Sequence, residues 1–196
     1  MPRSSIITIA ILLAVSTSAC AQNSQDAHLV NQALAAAPDE LKEGAKVLAY
    51  TEDGTYRTVR EGSNGLVCVS DNANQEGFEV VCFHQDVEAY MSRGRDLRAE
   101  GMSGRETIDA REAEIADGTL AFTEGPTTLY IRFGEEAYYD EESEEVVGSN
   151  LRYVIYTPYA TVESTGLPSS PSGPGAPWIM NPGSWRAHIM VTPAQN

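Results

Sequence analysis

The chain has 196 residues and carries 28 acidic against 13 basic side chains, which gives a formal net charge of −15 at pH 7. A field of this sign repels nucleic acid and anionic lipid head groups, so the composition excludes binding to either as the main function. The length suits one domain with a hydrophobic core of its own.

The first 21 residues have the features of a secretory signal. Arg3 supplies a positive start, residues 6–15 form an apolar run, and small residues follow. The run is too short to span a bilayer. Two processing routes stay open, cleavage after Ala21 or acylation of Cys20 as in a bacterial lipoprotein. We therefore expect an exported protein, periplasmic or membrane-anchored through Cys20, with residues 22–196 as one domain.

Helix and strand signals alternate after the signal. A helix is predicted over residues 24–37, where strong helix formers precede a proline. Strands are predicted over 46–50 and 55–60, joined by a turn that contains glycine. Because a tight-turn signal, Asn-Gly, leads directly into the next hairpin, residues 45–83 should form an antiparallel meander of about four strands.

The stretch 61–84 is predicted to be a β-hairpin closed by a disulfide. Strand formers at 65–70 and 78–83 flank a connection rich in Asn, Asp and Gly. Counting from the midpoint of that connection places Cys68 close to Cys82. The third cysteine of the chain would be removed or acylated, so these two would pair in an oxidising compartment.

Residues 87–100 and 103–118 are predicted to form two helices. The first has apolar residues at helical spacing that should pack on the sheet, and its arginines should cover the remaining surface. The second starts with a capping box, Ser103 with Glu106, and should lie on the surface because its apolar face is thin.

The C-terminal third is predicted to contain strands and one long loop. Strands are expected over 127–133, 151–157 and 186–192. Residues 164–177 are rich in Pro, Gly and Ser and should form a flexible loop. The predicted fold class is therefore α+β, an antiparallel sheet with two or three helices and a disulfide-closed hairpin.

The acidic stretch 135–145 is a candidate cation site. Crowded carboxylates repel one another, and a hard cation such as calcium would relieve that repulsion. The stretch lacks the regular spacing of a calcium loop, which favours a solvated loop, and no cofactor is predicted. The candidate ligands are Glu135, Glu136, Asp140, Glu141 and Glu144.

A group of Trp and Met residues near the C-terminus is a candidate ligand-binding surface, because such side chains often anchor ligands or partners. Core packing is the alternative and is favoured, since these residues are usually buried. The four residues are Trp178, Met180, Trp185 and Met190.

Two sequence patterns resemble a family of uncharacterised exported bacterial proteins. The first is E-G-x-N-G-x-x-C over 61–68 with the second cysteine at Cys82, and the second is P-W-I-M…A-H-I-M-V over 177–191. The resemblance implies a location in the cell envelope and no assigned activity. It transfers no catalytic residue.

The sequence therefore predicts a non-enzymatic envelope protein that binds a small molecule or a partner protein, and no nucleic acid. Membrane contact is expected only through the possible lipid on Cys20. Two alternatives stay open. One is a hydrolase that uses His84 or His188 with a carboxylate. Either histidine could pair with a nucleophile such as Ser103 or Ser184, although neither serine lies in a G-x-S-x-G motif. The other is an envelope protein stabilised by calcium.

Overall fold

The computed structural model describes residues 25–194, which form an α+β fold. The predicted signal and Cys20 lie outside the described residues. The helices are α1 (25–33), α2 (Asp39–Lys42), α3 (Glu88–Ala99), α4 (Gly104–Ala116) and α5 (Val162–Thr165). The strands are β1 (Lys46–Tyr50), β2 (Tyr56–Arg60), β3 (Leu66–Val69), β4 (Phe78–His84), β5 (Thr127–Gly134), β6 (Tyr138–Asp140), β7 (Glu145–Val147), β8 (Asn150–Tyr156), β9 (Trp178–Met180) and β10 (His188–Val191).

Eight strands form the main sheet in the order β2-β1-β3-β4-β5-β8-β10-β9, and β6 pairs with β7 alone. All neighbours in the main sheet are antiparallel except β1 and β3, which are parallel. The predicted antiparallel meander is therefore wrong, because β1 lies between β2 and β3. Burial explains the order: every residue of β3 and the middle of β1 are buried, whereas no residue of the polar β2 is. A polar strand suits the sheet edge.

The predicted disulfide-closed hairpin is confirmed. Cys68 pairs with Cys82 and Val69 with Val81 in the antiparallel register of β3 and β4. The two cysteines form a disulfide with Cα atoms 4.0 Å apart, and both side chains are 0% exposed.

Side chains alternate along each strand, so the sheet has two differently covered faces. The α1 face carries Leu66, Cys68, Val80 and Cys82. It is covered by α1, α2 and the β6–β7 hairpin, which pack apolar side chains against it. The α3 face carries Val67, Val69, Phe83, Leu129 and Val154 and is covered in part by α3.

The helices over the α3 face differ from the prediction in which side chains they bury. Tyr90, Gly94 and Leu97 are buried as expected, but Arg95 is buried too, so the prediction that the arginines of α3 cover the surface is wrong for Arg95. The capping box of α4 is confirmed. The buried residues of α4 are Thr107 and Arg111, and neither isoleucine of this helix is among them.

The three predicted C-terminal strands are confirmed as β5, β8 and β10. The segment predicted as a flexible loop begins with the last residues of α5 and continues without regular structure to residue 177. Two backbone hydrogen bonds fix it to the sheet, from Ile179 N to Pro168 O and from Gly175 N to Thr192 O, both 2.9 Å long. None of the helices between residues 25 and 194 combines the length and the apolar character that crossing a membrane requires.

Candidate functional site

A cavity of about 220 Å³ lies between α3 and the open part of the α3 face. Its floor comes from the sheet and is apolar, with Val69, Val81 and Ile131 as members. Its other wall is unusual for so acidic a protein, because it contains three guanidinium groups. They belong to Arg95, Arg98 and Arg111.

Arg111 reaches this cavity from α4 and is 5% exposed. Its Nε donates to Thr107 O at 3.2 Å and its Nη1 to Tyr90 O at 3.1 Å, while its Cζ lies 3.9 Å from the centre of the Tyr90 ring. Among residues 25–194, no carboxylate oxygen lies within 4.0 Å of this guanidinium. Buried charges in proteins are normally paired with an opposite charge. Arg111 is therefore a buried cation without a counter-ion from the described chain.

Burial disfavours the charge of Arg111. It lowers the pKa of the guanidinium from the ordinary value, Tyr90 and Tyr156 act to raise that pKa, and the charges of Arg98 and Arg186 act to lower it. Arginine nevertheless stays protonated in proteins. The group thus keeps its charge in an environment that disfavours it, and a bound anion would relieve this cost.

Gly94 gives the Arg111 guanidinium the room it occupies. A Cβ atom at position 94 would lie 2.6 Å from Nη1 of Arg111, which is closer than real Cβ contacts come. Glycine inside a helix costs about 1 kcal/mol relative to alanine. In α3 this unfavourable residue stands where the helix contacts the Arg111 guanidinium.

The other two arginines of the cavity are held differently. Arg95 is 7% exposed and donates to Glu88 Oε1 at 2.5 Å, so its charge is neutralised within the chain. Its guanidinium also lies over the rings of Tyr56 and Phe83. Arg98 is exposed at the cavity and has no carboxylate partner among the described residues. Arg98 and Arg111 are thus the guanidinium groups available to a ligand.

The Tyr90 ring, on which the Arg111 guanidinium stacks, belongs to an aromatic cluster. The Phe122 ring centre lies 5.0 Å from the ring centres of Tyr90, Tyr156 and Trp185, in edge-to-face contacts. Burial raises the pKa of Tyr90 and of Tyr156, so both phenols are neutral at pH 7. These contacts join α3, the segment after α4, β8 and the β9–β10 connection, and so fix the ring on which the guanidinium stacks.

The four Trp and Met residues predicted as a binding surface are used in packing. Met190 is buried in the core of the α3 face, and Trp178 and Met180 pack against that core. Trp178 is the cross-strand neighbour of Met190. Trp185 lies apart from these three, in the aromatic cluster. The prediction that these four residues bind a ligand is not tested by the structure, in which their side chains contact other side chains of the protein.

The two histidines considered for hydrolysis do not form a pair. His84 alternates with Phe83 and therefore lies on the α1 face, whereas His188 contacts Tyr156 on the α3 face. His84 Nδ1 lies 3.2 Å from Asp86 Oδ2. His188 donates from Nδ1 to Arg186 O at 2.7 Å.

The two serines considered as nucleophiles, Ser103 and Ser184, both make hydrogen bonds that stabilise local structure. The hydroxyl oxygen of Ser103 accepts from Glu106 N in the capping box of α4. Ser184 donates to Asn181 O at 2.8 Å. These contacts do not pair either serine with either histidine, so they do not support the hydrolase hypothesis.

The acidic stretch forms the β6–β7 hairpin over the α1 face. Within the part of the chain that the structure describes, no three His, Cys, Asp or Glu side chains are arranged to hold a metal ion. Asp140 accepts from Glu142 N and from Ser143 Oγ within the turn, and these hydrogen bonds lower the pKa of its carboxyl. The calcium site stays a prediction without a ligand arrangement to support it.

Sequence reasoning missed the arginine cavity altogether. Arg111 was one of many charged residues on a helix with a thin apolar face, and nothing in its neighbours marks it as buried. The available signal was Gly94, an isolated glycine inside a helical pattern, which usually has a packing or functional reason.

No protein-family model, curated protein or solved structure matches the chain. The resemblance to exported bacterial proteins therefore stays a prediction.

Proposed function

We propose that this protein is an exported, non-enzymatic binding protein that takes up a small organic anion in the cavity beneath α3. The observation that carries the proposal is the buried Arg111 guanidinium, which faces a cavity and lacks a carboxylate partner among the described residues. A ligand carboxylate or phosphate would supply the missing charge with planar or multiple hydrogen bonds, which guanidinium groups favour.

Two features support export. The first residues have the pattern of a secretory signal, with Cys20 as a possible lipidation site. A buried disulfide between Cys68 and Cys82 fits an oxidising compartment such as the periplasm.

Binding without catalysis fits the residues around the cavity. Besides Glu79 and three tyrosines, its polar side chains are arginines, which bind anions but are poor proton carriers because they do not lose their proton. The phenols of Tyr90 and Tyr156 have raised pKa values and are poor general bases at pH 7.

The test uses Gly94→Ala, which places a methyl group where the Arg111 guanidinium lies. Calorimetric titration of the disulfide-bonded protein with benzoate, hexanoate and phenyl phosphate should detect binding of at least one anion. Gly94→Ala should weaken that binding about tenfold or more, since hydrogen bonds to charged groups contribute about 1.5–3 kcal/mol.

The matched control is Gly104→Ala, at the first position of α4, where an added Cβ meets open space. It should bind as the wild type does. Absence of binding to every anion, or equal binding by wild type and Gly94→Ala, would contradict the proposal.

A further inference from the structure

A second cavity of about 260 Å³ adjoins the arginine cavity. The two cavities share four lining residues, Tyr50, Val69, Glu79 and Val81. They therefore form one continuous groove along the α3 face. The groove runs from the arginines to the strand ends near Phe78 and Phe133.

The volume of the groove indicates a ligand that extends through both cavities. The arginine cavity alone, at about 220 Å³, is smaller than ordinary ligand pockets, which hold about 300–1,000 Å³. The two together offer up to about 480 Å³, within that range. A ligand filling the site would thus have an anionic end and a body that continues along the sheet.

The charges along the groove favour a single negative charge at one end. Arg95 is paired with Glu88, so Arg98 and Arg111 oppose only Glu79 in the arginine cavity. Among the side chains that line this cavity, one net positive charge remains. The far cavity carries carboxylates instead, which would repel a second anionic group. They belong to Asp71, Glu76 and Glu135.

The surface between the two ends is apolar apart from Glu79, which lines both cavities. Val69, Val81 and Ile131 present branched side chains from the sheet, and Met91 faces them from α3. Along β4, the positions from Phe83, beneath Arg95, to Glu79, which lines both cavities, span roughly 13 Å, the length of an extended chain of about ten carbons. This floor matches an alkyl chain better than a second polar group.

From these four observations we infer that the ligand is an amphipathic monocarboxylate, a medium-chain fatty acid in chemical class. Its carboxylate is bound by Arg111 and Arg98, and its chain lies over Val69 and Val81 toward the second cavity. The inference rests on the proposed anion-binding function and adds the ligand class.

The test is a chain-length series at constant ionic strength, with acetate, butanoate, hexanoate and octanoate titrated into the wild-type protein by calorimetry. Affinity should rise about three- to fourfold for each added methylene group that is buried. Hexan-1-ol, with the same chain and no charge, should bind at least about tenfold more weakly than hexanoate. Hexyl phosphate should bind more weakly than hexanoate, because the groove has one net positive charge.

A second variant tests the path of the chain. Val81→Phe adds a ring at the junction of the two cavities, on a partly exposed strand position that accepts aromatic residues. Octanoate affinity should fall to the variant's own butanoate level, so that the dependence of affinity on chain length is lost beyond butanoate. Circular dichroism would verify the fold of the variant, and the wild-type series stands on its own if the variant does not fold.

The outcomes separate the inference from the proposed function. Affinity that is flat with chain length, while Gly94→Ala still weakens anion binding, would overturn the fatty-acid inference and leave the anion site standing. Tighter binding of hexyl phosphate than of hexanoate would also overturn the carboxylate inference. Equal binding of hexan-1-ol and hexanoate would overturn both, because the arginines would then contribute nothing.

Discussion

The two faces of the central sheet differ in how completely other elements cover them. The α1 face is covered by two helices and a hairpin, and it contains the Cys68–Cys82 disulfide among fully buried apolar side chains. The α3 face has a core of similar residue types, but α3 leaves a groove over part of it. Arginines border that groove, whereas the α1 face is sealed mainly by apolar packing.

Under the proposed function, this difference separates stability from binding within one sheet. The α1 face has a covalent link between its strands. The α3 face accepts a helix-interior glycine and a buried unpaired guanidinium, both of which cost free energy. Destabilising features of this kind are common at functional sites.

The largest effect should come from breaking the α1 face. Replacing both Cys68 and Cys82 by Ala opens a link across a sequence separation of 14 residues, which should lower the free energy of unfolding by about 3 kcal/mol. Urea denaturation of the variant against the oxidised wild type measures this loss. A change below about 1 kcal/mol would mean that the α1 face owes its stability to packing alone.

A smaller loss should follow from disturbing the aromatic cluster of the α3 face. Phe122→Ala removes a partly buried ring that contacts three others, which should cost about 2 kcal/mol. Unlike the cysteine change, it should also weaken anion binding, because Tyr90 loses support beneath Arg111. Unchanged anion affinity in a measurably destabilised Phe122→Ala protein would show that the cluster does not position the guanidinium.

Acid should weaken the α3 face through His188. Burial holds the pKa of this histidine below the ordinary 6.5, so between that lower value and about 6.5 the unfolded state binds more protons. The free energy of unfolding should therefore fall as the pH drops below about 6.5. Thermal denaturation between pH 7 and 5 should show a smaller fall for His188→Gln than for the wild type. Parallel curves would contradict the assignment.

The smallest effect is expected outside both faces. Arg105 and Asp109 form an exposed pair four residues apart on α4, 3.0 Å between Nε and Oδ2. Such pairs contribute about 0.3–0.5 kcal/mol. Asp109→Asn should change the urea midpoint only slightly and leave anion affinity as it is. A loss of affinity would mean that exposed charges outside the cavity lining govern binding.

Local signals in the sequence predicted the hairpin and its disulfide, but not the pairing of strands beyond it. Turn residues and strand formers determine the β3–β4 register because the interaction is short-range. The parallel pairing of β1 with β3 depends on which strand is most apolar, and no turn signal encodes that choice. The capping box of α4 was predictable for the same local reason as the hairpin.

The candidate site was beyond sequence reasoning because its chemistry depends on contacts between α3 and α4. Arg111 can be buried because its guanidinium stacks on the Tyr90 ring and donates to the Tyr90 carbonyl, and because Gly94 has no side chain to occupy the same space. Each of these residues has an ordinary explanation when considered alone. Their combination exists only in the packed structure.

A crystal structure of the protein with octanoate would show whether the Arg111 guanidinium anchors an anion. We expect carboxylate oxygens about 2.7–2.9 Å from the guanidinium nitrogens of Arg111, with the alkyl chain over Val81. A carboxylate bound elsewhere, with the groove beside Arg111 holding no part of the ligand, would contradict it.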